Sequence, residues 1–144
     1  MPARCTCDGS DQSPVLSWQG APAGTRSYAL LVEDPDAPDP AAPQLTWVHW
    51  VVYDLPPTCP GLPPGAGSGG LPRGSREGTN NWRRTGYGGP CPPIGQHRYF
   101  HRLYALDTML GDLRQPTADQ LRAAMRGHVL AEAELVGTYR RAGR

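Results

Sequence analysis

Two histidines, two aspartates and a tyrosine carry most of the chemistry open to this chain, and each stands in or beside an extended segment. Asp34 and Asp36 follow the apolar run Tyr28-Ala29-Leu30-Leu31-Val32-Glu33. His49 lies within Trp47-Val48-His49-Trp50-Val51-Val52-Tyr53, and His97 and Tyr99 open the segment that runs to Asp107. Side chains alternate across a strand. Period two therefore groups Trp47, His49 and Val51 on one face of their strand, and His97, Tyr99 and His101 on one face of theirs. Carboxylates, imidazoles and a phenol gathered at strand mouths are the ingredients of a polar pocket. Each residue also has a plainer use: His49 as a satisfied core histidine, Asp34 and Asp36 as turn residues before proline, Tyr99 as a strand former. Two further uses of the same groups compete: acid–base hydrolysis of phosphoesters or esters by Asp34, His49 and His97, and a metal set of His49, His97 and one Asp. Against a hydrolase, the chain has no Gly-x-Ser-x-Gly motif,. No glycine loop with Lys for nucleotide phosphates occurs either,.

The elements that must position these groups are mostly strands. Tyr28 to Glu33 reads as a buried strand and Trp47 to Tyr53 as a second, central one, rich in aromatic and β-branched residues. Between them, Asp34-Pro35-Asp36-Ala37-Pro38-Asp39-Pro40 cannot be helical, because each proline pushes its predecessor toward extended conformations. From Pro56 to Gly89 the chain is mainly Gly, Pro, Ser, Asn and Arg, a long surface excursion of the kind that is usually functional. His97 to Asp107 is the third strand. Thr117-Ala118-Asp119-Gln120 forms a capping box, and Leu121, Ala124, Met125 and His128 follow at helical spacing. Glu134 to Arg140 alternates as a last strand. This order has no βαβ alternation and points to a mainly β fold, a two-sheet antiparallel β-sandwich with one or two peripheral helices.

A length of 144 residues fits one domain spanning 1–144,. The 18 Gly and 17 Pro follow no repeat and indicate many turns,. A net charge of +1 gives no electrostatic case for nucleic acid,. All basic residues are Arg, which fits codon bias in a GC-rich bacterial genome. The start lacks an apolar leader and no stretch approaches a membrane span, so the cytoplasm is expected, without stable membrane insertion. Cys5-x-Cys7 is too tight for the usual zinc pattern. Spacing therefore favours four free, partly buried thiols at Cys5, Cys7, Cys59 and Cys91 over paired ones.

Several blocks also resemble a known family. Asp34-Pro35-Asp36-Ala37-Pro38, Trp47-x-His49-Trp50 and Gly88-Gly89-Pro90-Cys91-Pro92-Pro93-Ile94-Gly95-x-His97-Arg98-Tyr99 are similar to signature blocks of the phosphatidylethanolamine-binding protein family, in its bacterial Raf-kinase-inhibitor-like branch. Cys7-Asp8-Gly9, Ser13-Pro14-x-Leu16-Ser17-Trp18, Leu103 to Asp107 and Gly127 to Ala131 match that branch as well. The resemblance implies a large antiparallel sheet packed on a smaller one. It also implies a non-catalytic binding and regulatory module, without a cofactor, whose pocket holds phosphate or phosphoethanolamine-like anions. By motif position the pocket residues are Asp34, Asp36, His49, His97 and Tyr99, with Gly89 through its backbone N–H and Pro90 at the border. The partners expected are a small anion or phospholipid head group, with a regulated protein partner and a homodimer as further candidates.

Two departures stand out. Members commonly carry a strand ahead of the segment matching Pro2-Ala3-Arg4. A misplaced start, a truncation or a partner chain over the edge would each account for its absence. His101 replaces an apolar position and is expected at an exposed edge. In the pocket, Asp34 or Asp36 is expected to hold an imidazole N–H and favour imidazolium, whose opposite N–H meets the anion. Tyr99 O–H and Gly89 N–H add donors, and binding should tighten as pH falls through the histidine range.

Overall fold

The computed structural model describes residues 1–142. Its strands in chain order are β1 (Leu16–Ser17), β2 (Ser27–Ala37), β3 (Leu45–Leu55), β4 (Gly61–Leu62), β5 (Arg76–Glu77), β6 (His97–Leu106) and β7 (Val129–Tyr139). One α-helix among the described residues, α1 (Ala118–Met125), joins them. Five strands form an antiparallel sheet in the order β5-β3-β2-β6-β7, while β1 and β4 form a small antiparallel pair.

The unbroken apolar run of β2 explains its central place, because both of its faces are covered. Tyr28, Leu30 and Val32 pack with Trp50, Val52 and Leu62, under the β1–β4 pair and the partly buried Leu16 and Trp18. On the other face Ala29 and Leu31 pack with Val51, Tyr53, Tyr104 and Leu106, and α1 closes over them with Leu121 and Met125. Helix α1 starts as the capping box predicts: Thr117 Oγ1 accepts from Gln120 N–H at 3.2 Å, and Gln120 Oε1 accepts from Thr117 N–H at 3.0 Å,.

The structure corrects the sequence reading at several points. Helix α1 ends at Met125 and does not reach His128. Gly127 adopts a positive φ of 80° and turns the chain toward β7, and just before that strand His128 Nδ1 meets Asp107 Oδ1 at 2.8 Å. The strand β2 continues through Asp34 and Asp36 to Ala37 instead of ending at Glu33. His101 is buried, not exposed, because β7 pairs outside β6 and sets Leu135 opposite His101. In β3, Trp50 pairs with Val32 and Val48 with Glu33, so His49 is the extra residue of a β-bulge,. The bulge puts His49 and Trp50 on the same side of the sheet and sends Val51 to the face that α1 covers. Simple period two fails there.

The cysteine reading is half right. Cys5 and Cys59 are free and buried, but Cys7 and Cys91 form a disulfide across a sequence separation of 84. Local spacing cannot reveal a partner that distant. No helix among the described residues is long and apolar enough to cross a membrane.

A bridge closing so large a loop removes much conformational freedom from the unfolded chain. Changing Cys7 to Ser is expected to lower stability by roughly 2–4 kcal/mol. Urea unfolding of both proteins measures this; a loss below about 0.5 kcal/mol would mean that the bridge contributes little.

Candidate functional site

The sheet end where β2 leaves and β6 enters is organised around one buried pair. His97 Nδ1 lies 2.5 Å from Asp34 Oδ2, and both side chains are buried. The other oxygen of Asp34 accepts from Asp36 N–H at 2.7 Å. His97 Nε2 faces two carbonyl oxygens, of Ile94 at 2.9 Å and Pro38 at 3.1 Å. Carbonyls only accept, so Nε2 carries a hydrogen, and the second proton of the pair sits in the bond between Nδ1 and Oδ2. Burial pushes the Asp34 carboxyl up, against the opposing pull of the His97 bond. Both ring nitrogens of His97 are thus used by the protein itself.

His49 is tied down differently. Its Nδ1 donates to the Gly88 carbonyl at 2.6 Å, which leaves Nε2 with a lone pair in the neutral ring,. Burial pushes the imidazole down to about 4. Its Nε2 is buried with no hydrogen-bond partner, and the Tyr99 hydroxyl is in the same condition. Burial also raises the Tyr99 phenol, with Asp34 adding to the effect, so the hydroxyl stays a donor. The two rings meet edge to face at 5.2 Å, and Trp82 approaches His49 in the same manner at 5.1 Å.

These groups line a cavity of about 280 Å³ together with Asp34 and His97. Its remaining wall is largely apolar, with Trp47 and Trp82 together with Pro38, Leu45, Pro92 and Pro93. The bulge in β3 helps to bring His49 to this wall, and the glycines before Pro90 let the loop come close. A Cβ on Gly88 would run into the Trp82 ring, and one on Gly89 into Asp11 and the Cys5 carbonyl.

Four of the sequence candidates, Asp34, His49, His97 and Tyr99, therefore share one cavity. Three others stand elsewhere. Asp36 is turned away and takes a forked ion pair from Arg98, at 2.8 and 2.9 Å, which holds its carboxyl low. Gly89 N–H donates to Asp11 Oδ1 at 3.0 Å and is not free for a ligand. The Pro90 carbonyl accepts from Cys7 N–H, and Cys91, Pro92 and Pro93 form the border in its place. The expected imidazolium donor also fails, because the second N–H of His97 is spent on carbonyls and burial keeps His49 neutral. Sequence reasoning missed Trp82, Asp11 and Arg98. Arg98 stood between two chosen residues, whereas Trp82 lay in a polar loop with no periodicity to mark it.

The family model for phosphatidylethanolamine-binding protein matches residues 1–140. The chain belongs to this family. It is 49% identical over 142 residues to a UPF0098 protein of Methanothermobacter thermautotrophicus, covering 98% of this chain and 91% of that one. The fold is similar to that of a phosphatidylethanolamine-binding protein homologue from Chlamydia trachomatis, with a TM-score of 0.87 and 40% identity over 97% of this chain and 88% of the other. It is also similar to YbcL of E. coli, described as a member of the mammalian family, with a TM-score of 0.81 and 35% identity over 92% and 82% of the two chains. Those likenesses show that this chain has the fold of these relatives, here a large and a small antiparallel sheet with one α-helix among the described residues. They leave the ligand open. For the metal alternative, no group of three or more His, Cys, Asp or Glu among the described residues is placed to hold an ion.

The neutral state of His49 has a consequence for stability. Its imidazole is held near 4 in the folded protein against 6.5 for a free ring. The native state therefore binds fewer protons than the unfolded one between those values, and stability is lost as pH falls from about 6.5 to 4. His49 accounts for up to about 3 kcal/mol of this loss, and the lowered His101 imidazole acts in the same direction. Urea unfolding at pH 7 and pH 4.5 should show a markedly smaller difference for His49→Gln than for the parent. Equal differences would show that His49 titrates normally in the folded state.

Proposed function

We propose that the protein is a non-catalytic binding module whose cavity takes a small phosphate-type anion, with Tyr99 O–H and His49 Nε2 as its polar contacts. The observation that carries this reading is the pair of buried polar atoms, one donor and one acceptor, left without partners on the wall of one aromatic cavity. Unsatisfied buried polar groups are costly, and natural proteins keep few of them without a use. Family membership supports the same reading, since it favours a binding or regulatory module over an enzyme.

Charge does not oppose it. Asp36 is matched by Arg98, and Asp34 by its proton-sharing bond to His97. Each carboxylate is thereby compensated before a ligand arrives. The hydrolase alternative with Asp34, His49 and His97 has less support, because Asp34 and His97 are committed to each other and to the backbone. Cys91, at the wall, is held in a disulfide and offers no thiol nucleophile. A phospholipid head group is the alternative source of the same phosphate chemistry; the regulated partner, the homodimer and the cytoplasmic location also belong to this proposal.

Calorimetric titration with inorganic phosphate tests it. Tyr99→Phe removes one hydrogen bond to a charged ligand, about 1.5–3 kcal/mol, and should weaken binding by roughly one to two orders of magnitude. Phosphate binding that is absent from the parent, or unchanged in Tyr99→Phe, would defeat the reading. Turnover on a panel of phosphoesters would establish the hydrolase in its place.

A further inference from the structure

Resting on the anion reading above, we infer that the cavity selects an oxyanion that brings its own proton, so that His49 works as the specificity-determining acceptor. The geometry behind this is a hydrogen-bond inventory. Nδ1 of His49 donates to the Gly88 carbonyl at 2.6 Å, so the neutral ring can only accept at Nε2,. That atom is buried at the cavity wall without a partner. A bare oxyanion oxygen placed against it would set lone pair against lone pair. A P–OH placed there donates, while another oxygen of the same phosphate accepts from Tyr99 O–H. One donor and one acceptor on the protein thus match one acceptor and one donor on a protonated phosphate.

The surroundings oppose the other solution, a proton taken up by His49. From β6, His97 and His101 lie close enough for any positive charge on their rings to disfavour a second one, and Tyr99 presents only a neutral phenol. From β2, Asp34 could favour an imidazolium, but it is engaged by His97 Nδ1 and Asp36 N–H. From the loop, Trp82 offers an aromatic edge contact and Gly88 a carbonyl. Among the described residues, the hydrogen-bond partner of the His49 ring is the Gly88 carbonyl and not a carboxylate.

A site built to accept a ligand's hydroxyl hydrogen rejects analogues that lack it, because its own acceptor is then left unpaired. Inorganic phosphate keeps at least one P–OH throughout the neutral range. Sulfate has none, and neither has a phosphodiester of the kind found in an intact phospholipid head group. The free, proton-bearing phosphate is therefore the favoured source of the shared phosphate chemistry, and the diester is disfavoured.

The test is calorimetric titration of the whole protein at pH 7.5 with inorganic phosphate, sulfate and dimethyl phosphate, each in two buffers of different ionisation enthalpy. Phosphate is expected to bind at least about ten-fold more tightly than either of the others. Dimethyl phosphate separates the missing P–OH from the double charge of sulfate. Sulfate binding as tight as phosphate, with uptake of about one proton, would overturn the inference by showing a charged His49, while the anion reading survived. Equal binding of phosphate and dimethyl phosphate would overturn it likewise. If none of the three binds, the anion reading itself falls. His49→Gln gives a second measure, since its amide N–H can donate to a bare oxygen. The phosphate-to-sulfate ratio should shrink toward one in that variant, and an unchanged ratio would assign the selectivity to another group.

Discussion

A single proton held between His97 and Asp34 governs the arrangement of the site. The pair is buried at the point where β2 ends and β6 begins, two strands that neighbour each other in the main sheet. Removing either member would leave a buried polar group uncompensated, which is far costlier than replacing the pair as a whole. The bond does more than join two strands. Asp34 also receives the N–H of Asp36, and His97 also donates to Pro38 and Ile94, so the loops entering and leaving the strands are drawn onto one imidazole. Tyr99, two residues on, holds its ring nearly parallel to that of His97, with the ring centroids 6.4 Å apart.

The other buried acids obey the same rule of local compensation. Glu33 is met by Arg102 at 3.1 Å and by Arg122 from α1, so the helix is anchored to the sheet by charge as well as by Leu121 and Met125. Asp54, at a positive φ of 54°, accepts the N–H groups of Leu110 and Gly111 and pairs with Arg76. Asp36 has Arg98. Among the described residues five buried side-chain atoms are left without a partner, Trp18 Nε1, His49 Nε2, Ser75 Oγ, the Tyr99 hydroxyl and His101 Nε2, and of their residues His49 and Tyr99 line the aromatic cavity. The cavity sets apart a donor and an acceptor that share one wall, whereas Trp18, Ser75 and His101 lie off it.

Much of this was legible in the residues, and the failures have physical causes. The strands could be read because β2, β3 and β6 carry apolar or aromatic runs bounded by proline and glycine, and the helix because Thr117 and Gln120 form a complete cap. The meeting of His49 with His97 and Tyr99 followed from strand-mouth placement and family motifs together. The faces of β3 did not follow, because a bulge adds one residue and no rule of alternation foresees where. The expected donors at Gly89 and His97 failed for a related reason. A sequence shows which groups could donate but not what they already bond, and the takers, Asp11 and two carbonyls, lie far away or in the backbone.

That limit explains why the N-terminal segment belongs to the site although no residue of it lines the cavity. The loop from Gly88 to Pro93, of which Cys91, Pro92 and Pro93 line the cavity, is mostly glycine and proline with little hydrogen bonding of its own to keep it in place. It is held from behind. Cys7 is bridged to Cys91 and its N–H donates to the Pro90 carbonyl, Asp11 accepts from Gly89, and Tyr87 O–H donates to the Cys5 carbonyl at 2.7 Å. Gly9 lacks a Cβ for the same reason as Gly89: either would strike the backbone of the 3–6 turn. The blocks around Cys7-Asp8-Gly9 and Gly88 to Ile94 are therefore two sides of one contact, and the His49–Gly88 bond carries it into the cavity. The acceptor presented at Nε2 depends on that bond, since a ring free to turn could offer either nitrogen. The protonation pattern of the site is set by a loop that the N-terminus holds still.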